Sequence, residues 1–311
     1  MNNMGSAINQ PDQEPVQLLQ GLGDAGGERS QPQVAGRERR ADQAYTEADQ
    51  AIFTSIDSPR GGGYQLAATS VGISPAEARE LSTWGPSHDS LWETEEPARS
   101  YNFHRLQSGR LAVSRTIQGA AEFSGRGGRS VYTHFLVLNA EQFARWDSNP
   151  FEILRAATHT EHVLEPVPPR LSLWHCELAE GRNRPQQISR LVERAGGPLN
   201  VAAALDAVLR HDAVAFVGTS TAIEAAMEVL LLLLPEETRS QISFATGLKY
   251  SPRRPARWIG LHGDQLQRRR LARQYQFEVV DLTEGTTNLD ALEVLGNLLQ
   301  EAVRTLPCPG V

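Results

Sequence analysis

Apolar residues follow two different patterns along the chain. In the first half, short β-rich runs such as Ala51–Ile56 and Val131–Leu138 are separated by turn-forming residues. In the second half, strand-like runs such as Ala213–Gly218 alternate with helical stretches such as Thr221–Leu234. The sequence therefore predicts an α+β N-terminal domain of mostly antiparallel strands with added helices, followed by an α/β domain with a mixed sheet.

Local signals place several of these elements. Ser74, followed by proline and Glu77, has the pattern of a helix N-cap with a capping box. Asn139 is a second N-cap candidate. The β-rich runs Tyr101–Leu106 and Leu111–Ile117 are separated by a Ser-Gly pair, which predicts a hairpin.

Composition divides the chain into four parts. Residues 1–48 are rich in Gln, Gly, Asp, Glu, Pro and Arg, which predicts a disordered tail. A first domain is predicted over 49–162 and a second over 171–306. Between them, residues 163–170 contain three prolines within four positions, which favours an extended linker.

Charge and cysteine content exclude some classes of protein. A formal net charge of -7 argues against a general nucleic-acid or membrane binder. The longest aliphatic run, Val229–Leu234, is far shorter than the about 20 residues that span a bilayer. Two cysteines, Cys176 and Cys308, cannot build a disulfide framework, so we expect free thiols. Without a signal-peptide pattern at the N-terminus, we expect a cytoplasmic protein.

One turn resembles an anion-binding loop. The run Phe216–Thr221 combines a strand end, small residues and a helix start, where free backbone N–H groups attract anions. However, the chain contains no P-loop pattern, so we do not predict an NTPase. The alternative interpretation is a capping box with Thr221 as N-cap and Glu224 at N3.

Arginines and glycines are concentrated in two loops of the first domain, around residues 60–63 and 125–129. Arginine forks bind carboxylates and phosphates, and glycine lets the backbone approach a ligand closely. Solvated hairpin turns are the alternative interpretation. The candidate ligand- or partner-binding residues of this domain are Arg60, His88, Arg110, Arg126, Arg129 and His134.

Histidines of the first domain suggest an enzymatic alternative. The consecutive residues Ser87, His88 and Asp89 cannot form a catalytic triad from adjacency alone. A hydrolase would need His88 to meet a distant group such as His134, and the chain lacks a G-x-S-x-G elbow. We therefore predict no catalytic residue, metal site or cofactor, and whether the chain is an enzyme stays open, with a non-enzymatic role favoured.

The stretch from Lys249 to Arg273 is the basic segment of an otherwise acidic chain. It could dock on an acidic partner surface or, alternatively, bind nucleic-acid phosphates. No series of aromatic residues accompanies it, which argues against single-strand binding by stacking. The candidate docking residues are Arg253, Arg254, Arg257, Arg268, Arg269 and Arg270.

Seven stretches carry a resemblance to a known family. Those in the first domain are Gln50–Ser55, Gly63–Leu66, Pro86–Leu91, Ser108–Arg110 and Arg126–His134. Those in the second domain are Leu232–Glu236 and Ser243–Leu248. The first set resembles the type-two N-terminal domain of the bacterial GTPase-associated protein family, and the second set resembles the middle domain of that family.

The resemblance implies a non-enzymatic adaptor beside a P-loop GTPase in a multi-gene bacterial conflict or defence system. The expected partners are that GTPase and other proteins of the same gene neighbourhood, and no membrane. The family supplies no catalytic residues to transfer. We expect the first domain to present its glycine- and arginine-rich loops and the Pro86–Leu91 turn, the second domain to dock through the basic segment, and the tail to act as a tether.

Overall fold

The computed structural model describes most of the chain after residue 43. The described residues are 44–56, 63–92, 98–121, 129–159, 173, 175–179, 185–262, 265–283 and 296. They belong to one compact unit that spans Asp42–Val311. We call residues 44–159 the first part and residues 173–283 the second part. None of the described helices is long and apolar enough to cross a bilayer.

The first part forms an antiparallel sheet. Its strands are β1 (Tyr45–Ile56), β2 (Gly63–Thr69), β3 (Arg99–Arg105), β4 (Leu111–Ala121) and β5 (Arg129–Leu138). In space they follow the order β3-β4-β5-β1-β2, and each neighbouring pair is antiparallel. The predicted hairpin is confirmed as β3 and β4, in which Phe103 faces Val113 across the ladder.

Helices flank both parts of the sheet. The described helices are α1 (Pro75–Trp84), α2 (Ala140–Ala144), α3 (Pro150–His159), α4 (Pro185–Arg194), α5 (Pro198–Arg210), α6 (Ser220–Leu233), α7 (Glu236–Arg239) and α8 (Gln265–Gln274). The predicted N-caps Ser74 and Asn139 are confirmed, and both close a full capping box. The sequence also predicts a helix over Leu289–Thr305, where the structure describes only Gly296, which is helical.

The second part adds parallel strands. Its strands are β6 (Cys176–Ala179), β7 (Val214–Val217), β8 (Phe244–Ala245), β9 (Trp258–Leu261) and β10 (Glu278–Asp281). β7 lies between β10 and β9 and is parallel to both, and β8 is parallel to β9. Helix α6, which the sequence predicts, lies between β7 and β8 in the chain. Helix α8, which lies within the basic segment and was not predicted, connects β9 to β10.

One mixed sheet joins the two parts. β8 pairs antiparallel with β3, which places Phe244 opposite Phe103. The sheet then runs β10-β7-β9-β8-β3-β4-β5-β1-β2, with β6 paired to the start of β1. The predicted fold class, antiparallel α+β followed by α/β with a mixed sheet, is confirmed. The domain boundary at residues 163–170 stays a prediction, since those residues lie outside the described ones.

Two local predictions differ from the structure. β1 begins at Tyr45, inside the predicted tail, because Tyr45–Ala48 pairs with β6, a strand that is remote in sequence. The N-cap of α6 is Thr219 rather than Thr221, and its hydroxyl accepts a hydrogen bond from the Ala222 N–H. Glu224 therefore lies one turn inside the helix and pairs with Arg99 instead of capping.

The two faces of the antiparallel strands pack on different helices. Alternate residues such as Phe53 and Phe135 belong to one core cluster with Leu81 of α1. We call this side of the sheet the α1 face. The intervening residues, such as Phe103 and Leu136, belong to the larger core that includes α2, α3 and α6. Because strand residues alternate between faces, each position of β3, β4 and β5 belongs to one of these two environments.

Candidate functional site

The arginines predicted to form an anion site in the first part are dispersed. Arg60 and Arg126 lie outside the described residues. Arg129 is exposed at the start of β5 and donates to Gln118 Oε1 at 3.4 Å. A ligand role for these loops therefore stays a prediction.

Arg110 is occupied by contacts within the chain. Its Nη1 donates to the Gly72 carbonyl at 3.0 Å, and its Nη2 donates to the Val137 carbonyl at 3.1 Å. The same guanidinium forms ion pairs with Asp49 and Glu77. These contacts connect the β3–β4 turn, which carries Arg110, to β1, α1 and the end of β5. Arg110 is therefore a structural cross-link.

His88 and His134 lie on opposite faces of the sheet. The His88 ring stacks near Tyr64, which in turn stacks near Phe53 on the α1 face. His134 alternates with Phe135, which belongs to the α1 face, so His134 points to the other side. It is buried there with its Nε2 2.8 Å from Gln50 Oε1. The geometry therefore does not bring together the pair that a hydrolase would need.

Some arginines of the basic segment are paired or partly buried within the chain, and others are exposed. Arg257 forms an ion pair with Asp212 at 3.1 Å, and Arg268 forms one with Asp281 at 2.8 Å. Arg254 is partly buried and donates from Nη2 to the Lys249 carbonyl at 3.2 Å. The candidates that are exposed are Arg253, Arg269 and Arg270.

Helix α8 presents an arginine-rich outer face. Leu266, Arg269, Arg270 and Arg273 are spaced three and four residues apart and are all exposed. Leu271 on the opposite side is buried in the core. The side chain of Arg270 donates to Gln274 and lies over the Tyr275 ring at 5.7 Å. This outer face is the part of the basic segment that a partner can reach.

The Pro86–Leu91 turn packs against the second part of the chain. The Trp92 N–H donates to the Gly247 carbonyl at 3.0 Å, and the Lys249 N–H donates to the Ser90 carbonyl at 2.7 Å. Leu91 and Leu248 form a β-bridge between these contacts. Only the middle of the turn, residues 87–89, is exposed. The turn thus helps to close a cleft within the chain, and a role in contacting a partner stays a prediction for its exposed tip.

This cleft was not found by sequence reasoning. It lies on the α1 face, where the end of α1 and the edge of β3 meet the segment after β8. The Trp84 and His104 rings stack there with centroids 3.9 Å apart and planes within 9° of parallel. His104 is 2% exposed, and burial lowers the pKa of its imidazole to about 3, so the ring is neutral at pH 7.

The floor of the cleft is unusually polar for a buried sheet face. Asn102 donates from Nδ2 to the hydroxyls of Ser114 and Thr116, each at 3.2 Å. The Thr116 hydroxyl lies 2.9 Å from that of Thr133. Asn102 Oδ1 accepts from Ser100, which also accepts from the Gly247 N–H. The network ties the floor to the chain that forms the opposite wall.

A sequence signal for this floor exists. Ser100, Asn102 and His104 alternate along β3, and Ser114 and Thr116 alternate along β4, at positions that a buried face would fill with apolar residues. The second wall, with Lys249 and other residues more than 140 positions later, has no such local signal.

Comparison with protein families identifies the first part of the chain. Residues 47–174 match GTPase-associated protein 1, N-terminal domain type 2. This part of the chain is similar to that domain, and we call it the GTPase-associated domain. The predicted family resemblance is thereby confirmed, whereas the likeness of the second part to the middle domain of the family stays a prediction. A comparison with curated proteins found no match.

The GTPase-associated domain contributes most of the cleft floor. Its β3, β4 and β5 supply Asn102, Ser114 and Thr133, and its α1 supplies Trp84. The remaining wall lies beyond residue 174 and contains Lys249 and Arg254. The domain and the second part therefore build this cleft together.

Proposed function

We propose that the chain is a non-enzymatic adaptor that acts in the cytoplasm beside a P-loop GTPase of a bacterial conflict or defence system. The observation that carries the proposal is the GTPase-associated domain at residues 47–174. The partners are that GTPase and other proteins of the same gene neighbourhood.

The outer face of α8 supports a docking role for the second part. It places three exposed arginines beside exposed Leu266, in a chain whose net charge is -7. Such a patch suits an acidic surface that also offers an apolar contact, and charge complementarity favours encounter with that surface over others. Arg257 and Arg268 already pair with Asp212 and Asp281, so the proposal rests on the exposed arginines of α8.

The test is the affinity of the purified chain for the P-loop GTPase encoded beside it. Binding is measured by calorimetry at low salt, with GDP and with a non-hydrolysable GTP analogue. We expect binding in at least one nucleotide state. The double reversal of Arg269→Glu and Arg273→Glu should weaken it by about tenfold or more.

A matched control is available on α4. Arg190 and Arg194 are also exposed and four residues apart on a helix. The double reversal of Arg190→Glu and Arg194→Glu changes the net charge equally and should leave the affinity unchanged. Absence of a complex in both nucleotide states would overturn the adaptor proposal. Equal loss in both double variants would overturn docking through α8.

A further inference from the structure

Two cationic residues line the cleft, and neither has an acidic partner among the residues that the structure describes. Lys249 lies with its Nζ 5.6 Å from the centre of the Trp92 ring. Arg254 donates to the carbonyl of Lys249 and to no carboxylate in the described part of the chain. The neighbouring Arg257, by contrast, has its own carboxylate in Asp212. The cleft wall therefore carries positive charge that the described residues do not neutralise.

Burial makes the charge of Arg254 costly. Burial lowers the pKa of its guanidinium, and no carboxylate in the described part of the chain acts to raise it. A cation that leaves water without a counter-ion loses solvation free energy, and proteins ordinarily pair such groups. Arg254 would regain that free energy if an anion entered the cleft.

A residue that lines the same cleft has an unsatisfied buried polar atom. His104 is 2% exposed and lines the cleft, and its Nε2 has no hydrogen-bond partner among the described residues. Unsatisfied buried polar atoms cost free energy and are uncommon in folded proteins. A ligand with an oxygen or N–H group at this position would satisfy the imidazole.

The lining of the cleft suits a small ligand, and the space inside it continues into open solvent. Apolar side chains form much of the wall, and a few polar groups converge from Asn102, His104 and Arg254. This combination of an apolar wall and few directed polar groups is typical of small-molecule sites.

We propose that this cleft binds a small anionic molecule that carries a carboxylate or a phosphate group. Arg254 and Lys249 hold the anionic group, and the stacked Trp84 and His104 rings bound the rest of the molecule. Because the cleft is built by the GTPase-associated domain and the second part together, the ligand contacts both parts.

The chain offers a direct probe of this site, because Lys249 is its only lysine. An amine-reactive acetylating reagent modifies Lys249 and the N-terminal amine, and mass spectrometry of peptides reports each rate separately. The reaction is run on the full chain in chloride, inorganic phosphate or succinate at equal ionic strength. We expect phosphate, succinate or both to slow labelling of Lys249 but not of the N-terminal amine. At about ten times the Kd, mass action predicts roughly tenfold slowing.

Variants show whether the protection comes from the cleft. Arg254→Gln removes the buried charge and retains a hydrogen-bond donor, and it should abolish protection. The control is Arg257→Gln, which changes an arginine three residues away and outside the cleft. This variant should retain the protection. Protection by only one anion identifies the anionic group and supports the proposal. Equal labelling in all three salts, or protection that persists in Arg254→Gln, overturns it. The labelling rates of the wild-type chain test the proposal without any variant, and the experiment requires no GTPase.

Discussion

Arg155 of α3 and Glu228 of α6 form a bidentate ion pair that joins the two parts of the chain. Arg155 Nη1 donates to Glu228 Oε2 at 2.8 Å, and Nη2 donates to Oε1. The Glu228 side chain is 4% exposed and also accepts from Asn149 and Gln187. Burial lowers the pKa of the Arg155 guanidinium, but its hydrogen bonds and charge interactions with Glu228 and Glu152 together outweigh burial and raise it.

Loss of the cation in this pair should destabilise the fold. Arg155→Met leaves the buried Glu228 carboxylate without its counter-ion, which should lower the free energy of unfolding by about 3 kcal/mol. The control is Arg145→Met, which removes an exposed ion pair with Glu141 and should cost less than about 0.5 kcal/mol. Urea unfolding measures the stability of both variants. Equal losses in the free energy of unfolding would show that the Arg155–Glu228 pair contributes no more than the exposed pair.

Acid should weaken the protein through its buried histidines. Burial lowers the pKa of His134 to about 4 and that of His104 to about 3. Below about pH 6.5 the unfolded chain therefore binds protons that the folded chain does not, and stability falls as the pH falls. Each histidine contributes at most about 1.4 kcal/mol per pH unit.

Urea unfolding between about pH 7 and pH 5 checks this slope. His134→Gln removes one titrating ring and should make the free energy of unfolding less dependent on pH. His88→Gln is the control, because the His88 side chain is 42% exposed, and it should keep the wild-type slope. A His134→Gln slope as steep as that of the wild type would contradict the assignment to burial.

The position of the α6 cap can be tested with two threonines. Thr219→Ala removes the hydroxyl that accepts from the Ala222 N–H, which should cost about 1 kcal/mol of stability. Thr221→Ala, two residues inside the helix, should change stability by less than about 0.5 kcal/mol. Thermal or urea unfolding distinguishes the two, and a larger loss in Thr221→Ala would restore the cap that the sequence alone predicts.

Sequence reasoning was most successful where structure is local. The caps Ser74 and Asn139 and the β3–β4 hairpin follow from neighbouring residues, and the structure confirms them. It was less successful where a remote segment decides the outcome. The start of β1 at Tyr45 depends on pairing with β6, about 130 residues later, which no local pattern contains.

The candidate sites show the same division. The basic segment is visible as a run of charge, but charge alone does not separate Arg268, which pairs with Asp281, from exposed Arg269. The histidines His88 and His134 are both present in the sequence of the first part, yet the structure places them on opposite faces of the sheet.

The sequence by itself determined most of the strands and helices, the mostly antiparallel character of the first part, the mixed sheet of the second, and the family resemblance of the first part. Periodicity, capping residues and short motifs act over a few positions, so they can be read along the chain. Only the tertiary structure decided that β3 pairs with β8, and hence that Trp84 and His104 face Arg254 across a cleft. Such a contact depends on packing between distant segments, and its free energy is not contained in either segment alone.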